Sequence, residues 1–111
     1  MKKLLAIVAL SLLGAAPASA ENVARTYNAK CASCHGEDGK GKTKEGEKQK
    51  IGDMTTAEWQ KNVTDEQMKK AILEGVKRTK DGVEQEMKPL KDKLTPEQAD
   101  ALVKYVRGLK S

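Results

Sequence analysis

Cys31 and Cys34 stand three residues apart, and His35, the only histidine in the chain, follows directly. On one turn of helix, side chains at i and i+3 share a face. Two thiols so placed can reach two vinyl groups on one edge of a porphyrin and close thioether bonds to them. The imidazole next in sequence can then turn beneath the ring and bind its iron. Cys31-Ala32-Ser33-Cys34-His35 is thus the attachment signature of a c-type haem. Two other chemistries compete for these residues. A disulfide or thiol redox pair would need the cysteines alone, but thiol oxidoreductases sit on strand-bearing folds, and no strand is expected here. Structural zinc takes four ligands. Cys31, Cys34 and His35 supply three, and there is no further Cys or His.

A single histidine excludes bis-histidine ligation within the chain. A second axial ligand would come from a methionine, from a weaker donor such as lysine, or from nothing. Of the four methionines, Met1 lies in the basic start. Met68 falls on an apolar helical face with Ala71, Ile72 and Val76 and reads as core. Met54 precedes a short helix and could pack against the ring. Met87 lies on an extended segment before Pro89, where a loop could fold over the face opposite His35, and it is favoured over Met54 and Met68. A thioether ligand favours ferrous iron and raises the reduction potential. With both axial positions filled the iron has no place for substrate, so an electron carrier is expected rather than an enzyme. A haem peroxidase would need an acid–base group over an open iron face, and no second histidine exists to serve.

The elements that must position these residues read as all-α, with four helices. The first runs from about Asn22 to the cysteines, with Val23, Tyr27 and Cys31 on one face, and ends at Gly36. Residues 36–53 read as a solvated Gly- and Lys-rich loop. Thr55 and Glu58 form a capping-box signature for a short helix carrying Trp59, and Thr64 with Gln67 opens a third helix that Gly75 ends. A polar segment follows, with a turn signal at Asp81-Gly82. Thr95, Pro96 and Gln98 open the last helix, along which Ala99, Leu102, Val103, Val106 and Leu109 recur at helical spacing.

Composition narrows the reading further. Lys2 and Lys3 precede a nearly unbroken apolar run, Leu4 to Ala16, then Pro17 and the small residues Ala18-Ser19-Ala20. This run is shorter than the ~20 residues that span a bilayer and reads as a cleaved export signal over residues 1–20. Residues 21–111 then form one domain, exported, with a periplasm the usual home for such a chain and no stable membrane insertion after cleavage. Without its two leader lysines the net charge falls from +5 to +3, too mild and too poor in aromatics for a nucleic-acid surface. The chain has no Phe, one Trp and two Tyr. Few bulky groups are available to fill a core, and a haem would fill it.

The residues resemble the class I cytochromes c, the small bacterial monohaem type. The likeness runs from Tyr27-Asn28-Ala29-Lys30 through the attachment motif to Gly36. It continues in Met87-Lys88-Pro89-Leu90 and closes with Leu102-Val103-Lys104-Tyr105-Val106-Arg107. It implies a cytochrome c fold around one haem c held through two thioethers, with Met87 and His35 on its iron. It also implies that the first and last helices cross, with Tyr27 and Tyr105 at the crossing, and that Trp59 lies beside a haem propionate. Lys88 departs from the pattern, since many relatives have proline directly after the methionine. The expected activity is one-electron transfer with redox protein partners, by a monomer. Lys30, Lys40 and Lys42 are expected near the exposed haem edge, where they would steer an acidic partner. The alternative is a haem-based gas or redox sensor with a displaceable distal ligand.

Overall fold

In the computed structural model, four threonines set helix starts. Each side chain accepts a hydrogen bond from the backbone N–H three residues on: Thr43 from Gly46, Thr56 from Trp59, Thr64 from Gln67 and Thr95 from Gln98. At Thr64 and Thr95 the glutamine reaches back to the cap N–H, completing the box. Such a cap is worth about 1 kcal/mol. The structure describes residues 20–110, so nearly all of the expected leader lies outside the described residues. Among them no helix is long and apolar enough to cross a membrane.

The elements run α1 (Ala20–Lys30), α2 (Ala32–His35), α3 (Lys44–Gln49), α4 (Ala57–Asn62), α5 (Asp65–Glu74), β1 (Val76–Lys80), β2 (Val83–Met87) and α6 (Pro96–Arg107). The mostly helical cytochrome c fold is as expected, with three corrections. Residues 44–49 form a helix inside the expected loop. Gly46, a poor helix residue, hides it from the sequence, yet glycine is required there: a Cβ would meet the carbonyl oxygens of Gly41 and Cys34. The α4 cap is Thr56, not Thr55. Thr55 is buried, and its N–H and hydroxyl both donate to Asp53 Oδ1, at 2.8 and 2.6 Å. That draws it out of the cap position.

The third correction is the antiparallel hairpin of β1 and β2. Asp81 and Gly82, both at positive φ, make its two-residue turn. The strands lack apolar alternation, which is why they read as loop. Val76 pairs with Met87, Arg78 with Gln85 and Lys80 with Val83, and these pairs share one face. Lys77, Glu86, Thr79 and Glu84 take the other.

α1 and α6 cross as expected, with the rings of Tyr27 and Tyr105 5.0 Å apart and inclined at 39°. The core gathers Tyr27, Met54, Met68 and Ile72 with Leu90, Leu94 and four α6 residues, Ala99, Leu102, Val103 and Val106. Tyr27 is wholly enclosed, its hydroxyl donating to the Gly36 carbonyl at 2.7 Å. This bond ties α1 to the end of the Cys-x-x-Cys-His turn. Arg107 closes the other side, donating to the carbonyls of Gln60 and Val63 at 2.6 Å each and to Asp65 at 2.8 Å.

Candidate haem site

Cys31 interrupts the first helical run without ending it. Its N–H donates to the Tyr27 carbonyl at 2.8 Å, and the His35 N–H donates to the Cys31 carbonyl at 2.9 Å. The motif therefore stays on helical geometry, as its spacing requires. Thr43 steadies it from outside, its hydroxyl donating to the Cys34 carbonyl at 2.7 Å.

Beside this turn lies a cavity of about 890 Å³, near the upper end of the ~300–1,000 Å³ usual for ligand pockets. Cys31 and His35 line it from the motif, Met87 from β2, and Ile72, Leu102 and Val106 from the helical core. Cys34 lies on the same turn, half-buried and outside the lining. Met54 and Met68 reach the cavity too, but both are buried in the core. Met54 is held by its backbone, its N–H donating to Gly39 and its carbonyl accepting from Gln60 Nε2 at 2.7 Å.

Met87 is anchored from behind. The last carbonyls of α5 need partners, and the N–H groups of Leu90 and Lys91 supply them, donating to Ile72 and Leu73 at 3.0 and 3.1 Å. Gly75, at φ +80°, lets the strand approach: a Cβ there would stand 2.6 Å from the Met87 carbonyl oxygen and 2.9 Å from Pro89 N. We expect Gly75→Ala to cost about 1–3 kcal/mol through backbone strain and this clash. The melting temperature of the haem-loaded protein should then fall by at least about 5 °C. An unchanged melting temperature would mean that the strand yields freely and does not brace Met87.

The donor set fits a haem. His35 Nδ1 is enclosed without a hydrogen-bond partner, and burial lowers the histidine's pKa, favouring the neutral ring that a metal ligand must present. Burial, then the neighbouring Cys34, pushes the Cys31 thiol up to about 11. Redox-active thiols are instead shifted downwards, so the thiol enzyme reading finds no support. Among the described residues no group of three or more His, Cys, Asp and Glu side chains could hold a metal ion.

Tertiary structure also brings in residues that the sequence reading missed. Lys30, Lys40 and Lys42 are exposed, but the cations lining the cavity are Lys50, Arg78 and Lys80. The Asp81-Gly82 turn held the signal for two of them, since it sets Arg78 and Lys80 on the face of Met87. Trp59 lines the cavity, with its indole edge beside Gly52.

The family model for cytochrome c matches residues 20–110. Among solved structures, the KustC0563 c-type cytochrome is 38% identical, with a TM-score of 0.65. The match covers 79% of this chain and 96% of that one. A tyrosine-to-phenylalanine variant of the same cytochrome matches with the same identity and TM-score, over 98% of its length. No curated protein matches the chain. The enclosed His35 Nδ1, the Cys-x-x-Cys-His turn and the large cavity beside it agree with these likenesses, and the chain belongs to the cytochrome c family, whose covalently bound haem c serves electron transfer.

Proposed function

We propose that this protein is an exported, monomeric one-electron carrier. In this reading residues 1–20 are a cleaved signal, and Cys31 and Cys34 hold a single haem by thioether bonds. His35 and Met87 are its axial ligands. The observation that carries the reading is that His35 and Met87 line one cavity although 52 positions apart in sequence. When bound, the haem supplies a ferrous/ferric couple that exchanges one electron. The chain's own residues then do three things. The cysteine tethers keep the cofactor in place whatever the axial ligands do. The apolar walls at Ile72, Leu102 and Val106 exclude water, so that little solvent has to reorient as charge changes. Met87, braced through Gly75, Leu90 and Lys91, would hold the iron together with His35 and would leave no place on it for substrate.

Two measurements on the mature haem-loaded protein test this. A redox titration should follow a single one-electron curve, and the reduced protein should bind no carbon monoxide at neutral pH. Ready carbon monoxide binding would replace the carrier with a sensor whose distal ligand is displaced.

A further inference from the structure

The hairpin face that carries Met87 also carries an arginine whose setting has no purpose in methionine ligation. Arg78 lines the cavity mouth, two residues along β1 from the position paired with Met87. Its Nε donates to Gln85 Oε1 at 2.8 Å. Gln85 is itself buried, and its Nε2 donates to the Gln49 and Lys50 carbonyls at 2.9 and 3.3 Å. Carbonyls can only accept, so the amide nitrogen must face them, and the amide oxygen is forced to point at Arg78.

This arrangement engages one edge of the guanidinium and leaves Nη1 and Nη2 for something else. Those two nitrogens form the end-on fork that matches a carboxylate with two parallel hydrogen bonds. Among the described residues they have no such partner. Asp53, Glu58 and Asp81 also line the cavity, but the ion pairs seen among the described residues, Lys69 with Asp100 and Arg107 with Asp65, do not involve them. A haem brings its own carboxylates. In a haem tethered at Cys31 and Cys34 the two propionates would lie on the side of the ring away from the tethered vinyls. We propose that Arg78 is a haem-binding residue that grips one propionate through Nη1 and Nη2, and that Gln85 is its positioning residue. The inference rests on a haem in this cavity.

A cation held there stabilises the ferrous state, which carries one positive charge fewer, and keeps the propionate ionised. The test uses mature haem-loaded protein, with the midpoint potential followed between about pH 5 and 9. The other charged groups lining the cavity are Lys50, Asp53, Glu58, Lys80 and Asp81, and its remaining titratable side chains are Tyr27, Cys31 and His35. All are left unchanged. Arg78→Gln should shift the ferrous/ferric ratio at fixed ambient potential about threefold to tenfold towards ferric, tenfold being 59 mV for one electron. It should also move the propionate's step in the potential to higher pH. Arg78→Lys should restore much of the ratio, and Gln85→Ala should shift it in the same direction but less. Lys77→Gln removes an equal charge from the hairpin's opposite face and should leave the pH step in place. Identical potentials and pH steps in Arg78→Gln and Lys77→Gln would overturn the proposal. Wild-type protein whose colour is lost in acid-acetone would instead overturn the covalent haem reading itself.

Discussion

Replacing both Cys31 and Cys34 by serine is expected to give a protein that keeps no colour through acid-acetone extraction. The chain left behind should melt without a cooperative near-UV transition. The tether alone explains the first result, because axial bonds such as those proposed for His35 and Met87 yield to acid while thioethers do not. The second follows from volume. Unfilled core space destabilises by about 24 cal/mol per Å³, so leaving even a quarter of the cavity empty would cost about 5 kcal/mol. That is the lower end of the net stability of an ordinary domain, about 5–15 kcal/mol. Little else can fill the space: the chain has no Phe, and Tyr27 is the only aromatic in the buried core among the described residues. Single substitutions should retain one thioether and part of the extraction-resistant colour. A sharp near-UV transition in the haem-free chain would show that the helices collapse onto the cavity and that the cofactor is not part of the core.

Met87→Ala is expected to abolish the weak long-wavelength sulfur-to-iron band of the ferric protein and to open the reduced protein to carbon monoxide. Under the proposed ligation, loss of the thioether removes a ligand that favours ferrous iron. The midpoint potential should therefore fall, by at least about 59 mV, a tenfold shift in the ferrous/ferric ratio. Met54→Ala and Met68→Ala should behave differently. Both side chains are buried in the core, so each truncation should cost about 2–5 kcal/mol while leaving the band intact. The two classes of variant thus separate ligand from packing by independent readouts. Survival of the band in Met87→Ala and its loss in Met54→Ala would reverse the assignment, since Met54 also reaches the cavity.

Much of this molecule is legible in its sequence. Cys31, Cys34 and His35 declare their chemistry because covalent attachment demands fixed residue types at fixed spacing along one helical turn. The helix starts at Thr64 and Thr95 are equally local, since a cap and its glutamine answer each other within four residues. The α6 face was readable because Ala99, Leu102, Val103 and Val106 repeat at the period of the helix and are buried together. What was missed shares a different physics. The helix at Lys44–Gln49 depends on Gly46, whose place is dictated by carbonyls of residues outside that helix. The hairpin has no apolar stripe, because the partners of its inner face are a cavity and, at Gln85, the end of α3. Propensity and periodicity report how a segment meets a core built of side chains. They say little about a segment whose neighbour is a space kept for a cofactor.

The sequence by itself therefore determined the attachment motif, the helical class and the requirement for a large apolar group at the centre. These follow from local spacing and from a composition too poor in aromatics to fill a core. Only the tertiary structure decided which methionine is braced at the cavity and which cations stand at its mouth. Met87 is held by bonds from Leu90 and Lys91 to α5 and by the clearance at Gly75, and Arg78 is aimed by Gln85 from across the ladder. Those contacts join residues far apart in the chain, and no one segment of the sequence records them.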